Sequence, residues 1–189
     1  SGERHVAIEP DVSIAHATVA HALRRAGRPE DSLLAYLEAA RCVPAQAWCD
    51  WEALKLAALL GDGRAAWEAL VRLAARAPKT RWHQRETTPA LVADVLAVIA
   101  ARLSSRRERV LRLCDQLMEQ SDVARERQHI ASVHKSILTD APAPVPFSPR
   151  NHGLPPQPDQ ALWLKSISDA YGKGKVRDED LLLDPSYAP

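Results

Sequence analysis

Bulky aromatic and strand-favouring residues are thin in this chain. A single Phe and a single Met stand among 189 residues, and the apolar set, 46% of the chain, is dominated by Ala and Leu. Ala and Leu head the helix-propensity ranking, whereas β-branched and aromatic residues favour strands, so the bias argues against a sheet and for closely packed helices. An excess of either charge is also missing. With 25 basic and 24 acidic side chains the net charge is +1; no global field draws the chain to nucleic acid or membrane, and an electrostatic partner must use a local patch. Cysteine is sparse and odd in number. Cys42, Cys49 and Cys114 read as reduced, mostly buried thiols of a cytoplasmic protein rather than as a disulfide framework. Cys42 and Cys49 lie seven apart with no second pair at ligand spacing, a poor zinc signature. No apolar run approaches the roughly 20 residues of a membrane span. The Ser1-Gly2 start lacks the apolar core of a signal peptide, and the chain is open to being a piece of a longer one.

What is present is a repeat. Gly27-Arg28-Pro29-Glu30-Asp31-Ser32 through Pro44 and Gly61-Asp62-Gly63-Arg64-Ala65-Ala66 through Pro78 carry the same punctuation 34 residues apart. A period in this range is that of stacked helix pairs. The first helix is expected from a cap at Asp11 to Ala26, and the second from Pro29, suited to a first helical turn, to Cys42. The third follows Pro44 and the fourth is capped by Asp62. Thr88 and Pro89 open a fifth helix, Ser104-Ser105 turns into a sixth, and Ser121-Asp122 caps a thinner, more polar seventh suited to shielding the last pair. Measured from Gly61 to Ser104, the third period is nine residues longer than 34, so residues 77–89 read as a surface insertion. Seven of the seventeen residues from Pro142 to Pro158 are proline, which forces an extended, largely polyproline II segment. Asp159 then caps a short helix through Leu162, Trp163, Leu164, Ile167 and Ala170, ended by Gly172.

These pairs resemble the tetratricopeptide repeat family. The resemblance rests on the turn glycine, the small residue early in the second helix (Ser32, Ala66), the large residue a turn later (Tyr36, Leu70), the small one after it (Ala39, replaced by Leu73) and the closing proline (Pro44, Pro78). It covers residues 11–78 well and 88–120 loosely. It departs from the family in the first helix of each pair, where the tryptophan and the Leu-Gly pair are missing and Ala20 and Leu54 stand near the small position. The resemblance implies an all-α, right-handed solenoid of about three antiparallel pairs plus a capping helix over residues 1–140. A proline-rich linker (141–158) and a short helix with an acidic, leucine-rich tail (159–189) follow it. It also implies a concave groove lined by first helices, here Ile14, Ala17, His21 and Arg24, then Trp48, Trp51, Lys55 and Leu59. The lysine and asparagine clamp for a terminal carboxylate is absent from the pattern, because Ala17 and Trp51 stand at two of its places.

Each candidate site has a plain structural alternative. Trp48 and Trp51, three apart and flanked by Lys55, form an anchor for a partner side chain or fill the space between hairpins. Trp67 reads as core. Lys79, Arg81, His83 and Arg85 around Trp82 suit a base, phosphate or acidic peptide, or form a solvated connector. Arg102, Arg106, Arg107, Arg109 and Arg112 are partly offset by Glu108, Asp115 and Glu119 and read as a solvated helix surface more than a nucleic-acid patch. Leu181-Leu182-Leu183 among acids is a docking motif or a frayed end. Trp163 rides on a helix that a spacer of about 17 residues can carry roughly 50 Å, back over the array or out to another molecule.

No catalytic constellation stands out. His16 with His21 and His129 with His134 are five apart, so neither pair converges on a metal. Gly172-Lys173-Gly174-Lys175 lacks the ending of a phosphate loop. The expectation is therefore a non-catalytic scaffold or adaptor with no cofactor, binding a protein or peptide segment in its groove, with the tail as a second contact, an internal occupant or a route to homo-oligomers. The runner-up is a regulatory or substrate-recruiting part of a larger enzyme; a nucleic-acid adaptor ranks below both.

Overall fold

The 34-residue period is written into the backbone. A computed structural model describes residues 2–42, 47–75, 88–102, 107–147 and 160–172. In it α1 (Gly2–Arg25) and α2 (Pro29–Arg41) turn at Gly27, and α3 (Ala47–Leu60) and α4 (Gly63–Ala74) turn at Gly61. Gly27 has φ +73° and Gly61 φ +72°, left-handed values that a side chain would strain. In the first turn the Gly27 amide donates to the Arg24 carbonyl at 3.2 Å and the Arg28 amide to Leu23 at 3.0 Å. In the second, Gly61 donates to Ala58 at 3.1 Å and Asp62 to Ala57 at 2.9 Å. These are the two bonds of a Schellman helix end, shifted by one period.

The small residues then let each second helix close on its first. Ser32 is fully buried and its hydroxyl donates to the Ala20 carbonyl at 2.7 Å; one period later Ala66 and Leu54 are equally buried. Asp62 caps α4 as its position predicts, accepting from the Ala65 amide at 3.0 Å. Thr88 does the same for α5 (Pro89–Arg102), accepting from Leu91 at 3.5 Å. Two helix starts differ from expectation. α1 begins at Gly2 rather than Asp11. α7 (Ala124–Leu138) has Val123 at its cap with no side-chain bond, because the Ser121 hydroxyl donates instead to Glu126 Oε2 at 2.8 Å.

Past α5, α6 (Arg107–Gln120) and α7 complete a second group. The described residues are all-helical apart from turns and one irregular stretch, and contain no strand. Neighbouring helices pack in adjacent pairs, α1 on α2, α2 on α3, α3 on α4, α5 on α6 and α6 on α7, with α7 also against α5 and α4 against α6 and α5. The main apolar core runs from Ala20 and Leu33 through Ile137 and Phe147 to Leu164, Ile167 and Tyr171, beside a small cluster of Ala17, Ala39, Ala40 and Cys49. Gln120 ties the groups together, its side-chain amide donating to the Leu73 carbonyl at 3.1 Å and the Ala74 carbonyl at 2.5 Å; these are end carbonyls of α4 that the helix leaves unpaired. After α7 residues 141–147 run without regular structure to a buried Phe147. α8 (Gln160–Gly172) then returns to pack on α5, α3 and α4.

Candidate functional site

α5 is buried around almost its whole circumference, and α3 is apolar but for Asp50, Glu52 and Lys55. In α5 every residue from Pro89 to Ala97 is buried, and Ile99 with them. A helix of that kind needs cover on more than one side. On α5 the cover is α6 and α7 on one hand and α8 on the other, and α8 also spans to α3. α8 meets this face with Leu164, Ile167 and Tyr171, which are 9%, 0% and 3% exposed. Their i, i+3, i+7 spacing makes one stripe along a helix. Two polar bonds flank the stripe. The Tyr171 hydroxyl donates to the Gly63 carbonyl at 2.7 Å, and Arg102 Nε donates to Ser168 Oγ at 3.0 Å. Burial, with the Asp62 charge added, pushes the Tyr171 phenol well above its ordinary pKa.

The groove residues expected from the sequence separate into three kinds. His21 is exposed, and Ile14 and Leu59 remain half open to solvent. Arg24 and Lys55 converge on one carboxylate, Glu52, at 3.0 Å and 2.6 Å, so that Arg24 joins α1 to α3. Trp48 is half-buried, edge-on to Tyr36 with ring centroids 6.4 Å apart. Trp51 is fully buried, as is Ala17 nearly so. Trp51 is therefore core and not a partner anchor: residues three apart on a helix differ by about 60° around the axis, enough to leave Trp48 at the wall and turn Trp51 inside. Trp67 is buried as expected. Trp163 lies on α8, its side chain outside the described residues. Arg81, Trp82 and Arg85, with Leu181 and Leu182, also lie outside them. Of the arginine cluster, Arg102 is engaged by Ser168 and Arg107 pairs with Asp140 at 2.8 Å.

Besides Glu126, two buried carboxylates escaped the sequence reading. Asp50, fully buried on α3, pairs with Arg72 of α4 at 2.7 Å. Arg72 also reaches Glu68 at 2.5 Å, and Arg41 of α2 meets the same carboxylate at 2.9 Å. Burial alone would raise the Glu68 carboxyl, but the charge of Arg72 and the bond and charge of Arg41 outweigh it and hold its pKa low. The second is Asp94 on α5. Its Oδ1 lies 2.6 Å from Nε2 of His129 on α7, and its Oδ2 accepts the Phe147 amide at 2.8 Å. The His129 and Phe147 rings pack with centroids 5.3 Å apart, so Asp94 pins the end of the irregular stretch onto α5 and α7. A lone Asp inside the apolar run Leu91–Ile99 was the available signal, since a carboxylate among such residues needs a buried partner.

The arrangement is one that holds a helix. Among the described residues no three His, Cys, Asp or Glu side chains converge on a metal position. The Cys114 thiol is pushed up to about 12, by burial first and by Asp115 second. Among the described residues no helix is long and apolar enough to cross a membrane. No family model, curated protein or solved structure matches the chain.

Proposed function

We propose that this chain is a non-catalytic interaction scaffold of the tetratricopeptide kind, holding a segment of a partner protein along the face formed by its first helices. The observation that carries the reading is α8 lying on α3 and α5 with an apolar stripe and two hydrogen bonds. A face that seats one amphipathic helix has the shape and chemistry to seat another. The repeated turns at Gly27 and Gly61 support the family resemblance. Cys42, Cys49 and Cys114 all stand as thiols, in keeping with a cytoplasmic setting. In this reading Trp48, Lys55, Arg24 and His21 border the open part of the face, while α8 fills the part between α3 and α5.

The test is affinity capture from native lysate with the full chain and with full-length Ile167→Ala, each with and without an excess of a peptide of residues 160–172. Proteins enriched by the substitution and released by the peptide support the reading. Capture of nothing above an unfolded-chain control by either protein contradicts it.

A further inference from the structure

The stretch that leads from α7 to Phe147 takes no part in the groove, and its composition dictates its shape. From Ala141 to Pro146 the sequence alternates, Ala-Pro-Ala-Pro-Val-Pro. Proline holds its own φ near about −65°, and the residue before a proline is pushed out of the helical region. Each of the six is either a proline or the residue before one, so only extended conformations are open to the backbone. Exposure selects among these. Val145 is 86% exposed and Phe147, two residues on, 7%; a strand would place both side chains on one face. Pro144, three before Phe147, is half-buried, while Pro142 with Val145, and Ala143 with Pro146, are exposed. That is a period of three, the period of polyproline II, an extended form without internal hydrogen bonds. The edge of Pro144 and Phe147 faces the protein, and the other two edges face solvent.

Both ends of the segment are fixed. The Ala141 amide donates to the Ser136 carbonyl of α7 at 2.9 Å, and the Phe147 amide to Asp94 Oδ2 of α5 at 2.8 Å. Ala143 shares a small cleft with Ala97, Ala100 and Ala101, so the segment lies along α5 between its two anchors. Held this way, it has already given up the backbone freedom that a flexible ligand loses on binding. What it shows to solvent is apolar: the exposed prolines and Val145, which is more open than any other large hydrophobic side chain among the described residues. Residues 141–147 carry no charge and no side-chain hydrogen-bond donor, so neither a phosphate chain nor an anionic surface finds anything to hold. A groove lined by aromatic rings does, because the rings pack on two edges of a polyproline helix while indole or phenol donors meet its free carbonyls. Going beyond the scaffold reading above, we infer that residues 141–147 are a preformed polyproline II ligand for an aromatic-lined groove on a partner protein, of the kind carried by SH3, WW and EVH1 domains.

The experiment is isothermal titration calorimetry of purified SH3, WW and EVH1 domains against the full-length protein. The expected result is saturable, submillimolar binding of at least one of these domains. Val145→Asp, which alters only an exposed side chain, weakens that binding about tenfold by bringing a charge into an apolar groove, and Pro142→Ala with Pro146→Ala weakens it likewise. A free, end-capped peptide of residues 141–147 binds the same domain about threefold or more weakly than the full chain, because it must be ordered first. Phe147→Ala, whose side chain faces inward, moves the full-length affinity toward that of the peptide. Circular dichroism melts establish that each chain is folded. Absence of saturable binding by all three domains, or affinity unchanged by Val145→Asp, overturns the inference. So does a free peptide that binds as tightly as the chain, which would show that the segment is not presented ready-made. Should a domain bind the chain but lose its affinity to Trp48→Ala and not to Val145→Asp, the groove is its site and this inference falls.

Discussion

The two hairpins α1–α2 and α3–α4 are organised by local rules, whereas the part from α5 to α8 is held by single side chains reaching far along the chain. In the first region the decisive bonds join residues three to five apart, Gly27 to Arg24 and Arg28 to Leu23, with copies at Gly61 and Asp62. In the second they run from Gln120 to Leu73, Asp94 to Phe147 and Tyr171 to Gly63, across 47, 53 and 108 residues. The difference teaches how each region fails. A local turn is duplicated, so damage to one copy leaves the other intact; a long-range bond has no copy, and losing it releases the whole segment it holds.

The largest expected effect is in the second region. Asp94→Ala removes the acceptor of the Phe147 amide and the partner of His129, and should destabilise the chain by about 3 kcal/mol in urea unfolding. Protease should then cut near Phe147 first. A smaller loss, close to that of an exposed side chain, would mean that the stretch 141–147 is not held by this carboxylate.

Next comes the test of equivalence between the two turns. Gly27→Ala and Gly61→Ala each force a side chain into a left-handed conformation at about 1–2 kcal/mol. Around Gly27 an added Cβ would meet nothing within 4 Å, so its cost is conformational only. Thermal melts should show similar losses for the two, and a large inequality would break the symmetry that the hydrogen bonds display.

The smallest effect is expected at Ser32. Its hydroxyl bonds to a carbonyl in α1, but one period later the same place is held by buried Ala66. Ser32→Ala should therefore fold normally and lose about 1 kcal/mol. A loss several times larger would show that the hydroxyl, rather than the small volume, sets the approach of α2 to α1.

The same contrast explains which features could be read from the residues alone. Gly27, Gly61, Asp62 and Thr88 act within a few residues of themselves, and their roles follow from position. Ser121 stood at a comparable position and misled, because Glu126 was within reach and took its hydroxyl. The seat of α8 was encoded only indirectly. α5 reads as apolar but for Asp94 from Pro89 to Ile99, which requires a second cover without naming it; the covering helix lies beyond seven prolines that disguise it as a detached tail. Trp51 is a different case. Glu52, Lys55 and Leu59 follow Trp48 at i+4, i+7 and i+11 and mark the half-exposed side of α3, a pattern that puts Trp48 at the wall and Trp51 inside and that treating the two indoles as one face overlooked. Asp50 found its partner, Arg72, 22 residues away, too far for any helical register to anticipate.

The central claim is that α8 is a separable occupant of the α3–α5 face. Hydrogen exchange measured across the full-length wild-type and Ile167→Asp proteins addresses it directly. The account predicts faster exchange in α8 and along α3 and α5, with α1–α2 and α6–α7 protected as before. Loss of protection across all the helices would show that α8 is an inseparable part of the core, and an unchanged pattern would show that it does not sit on that face.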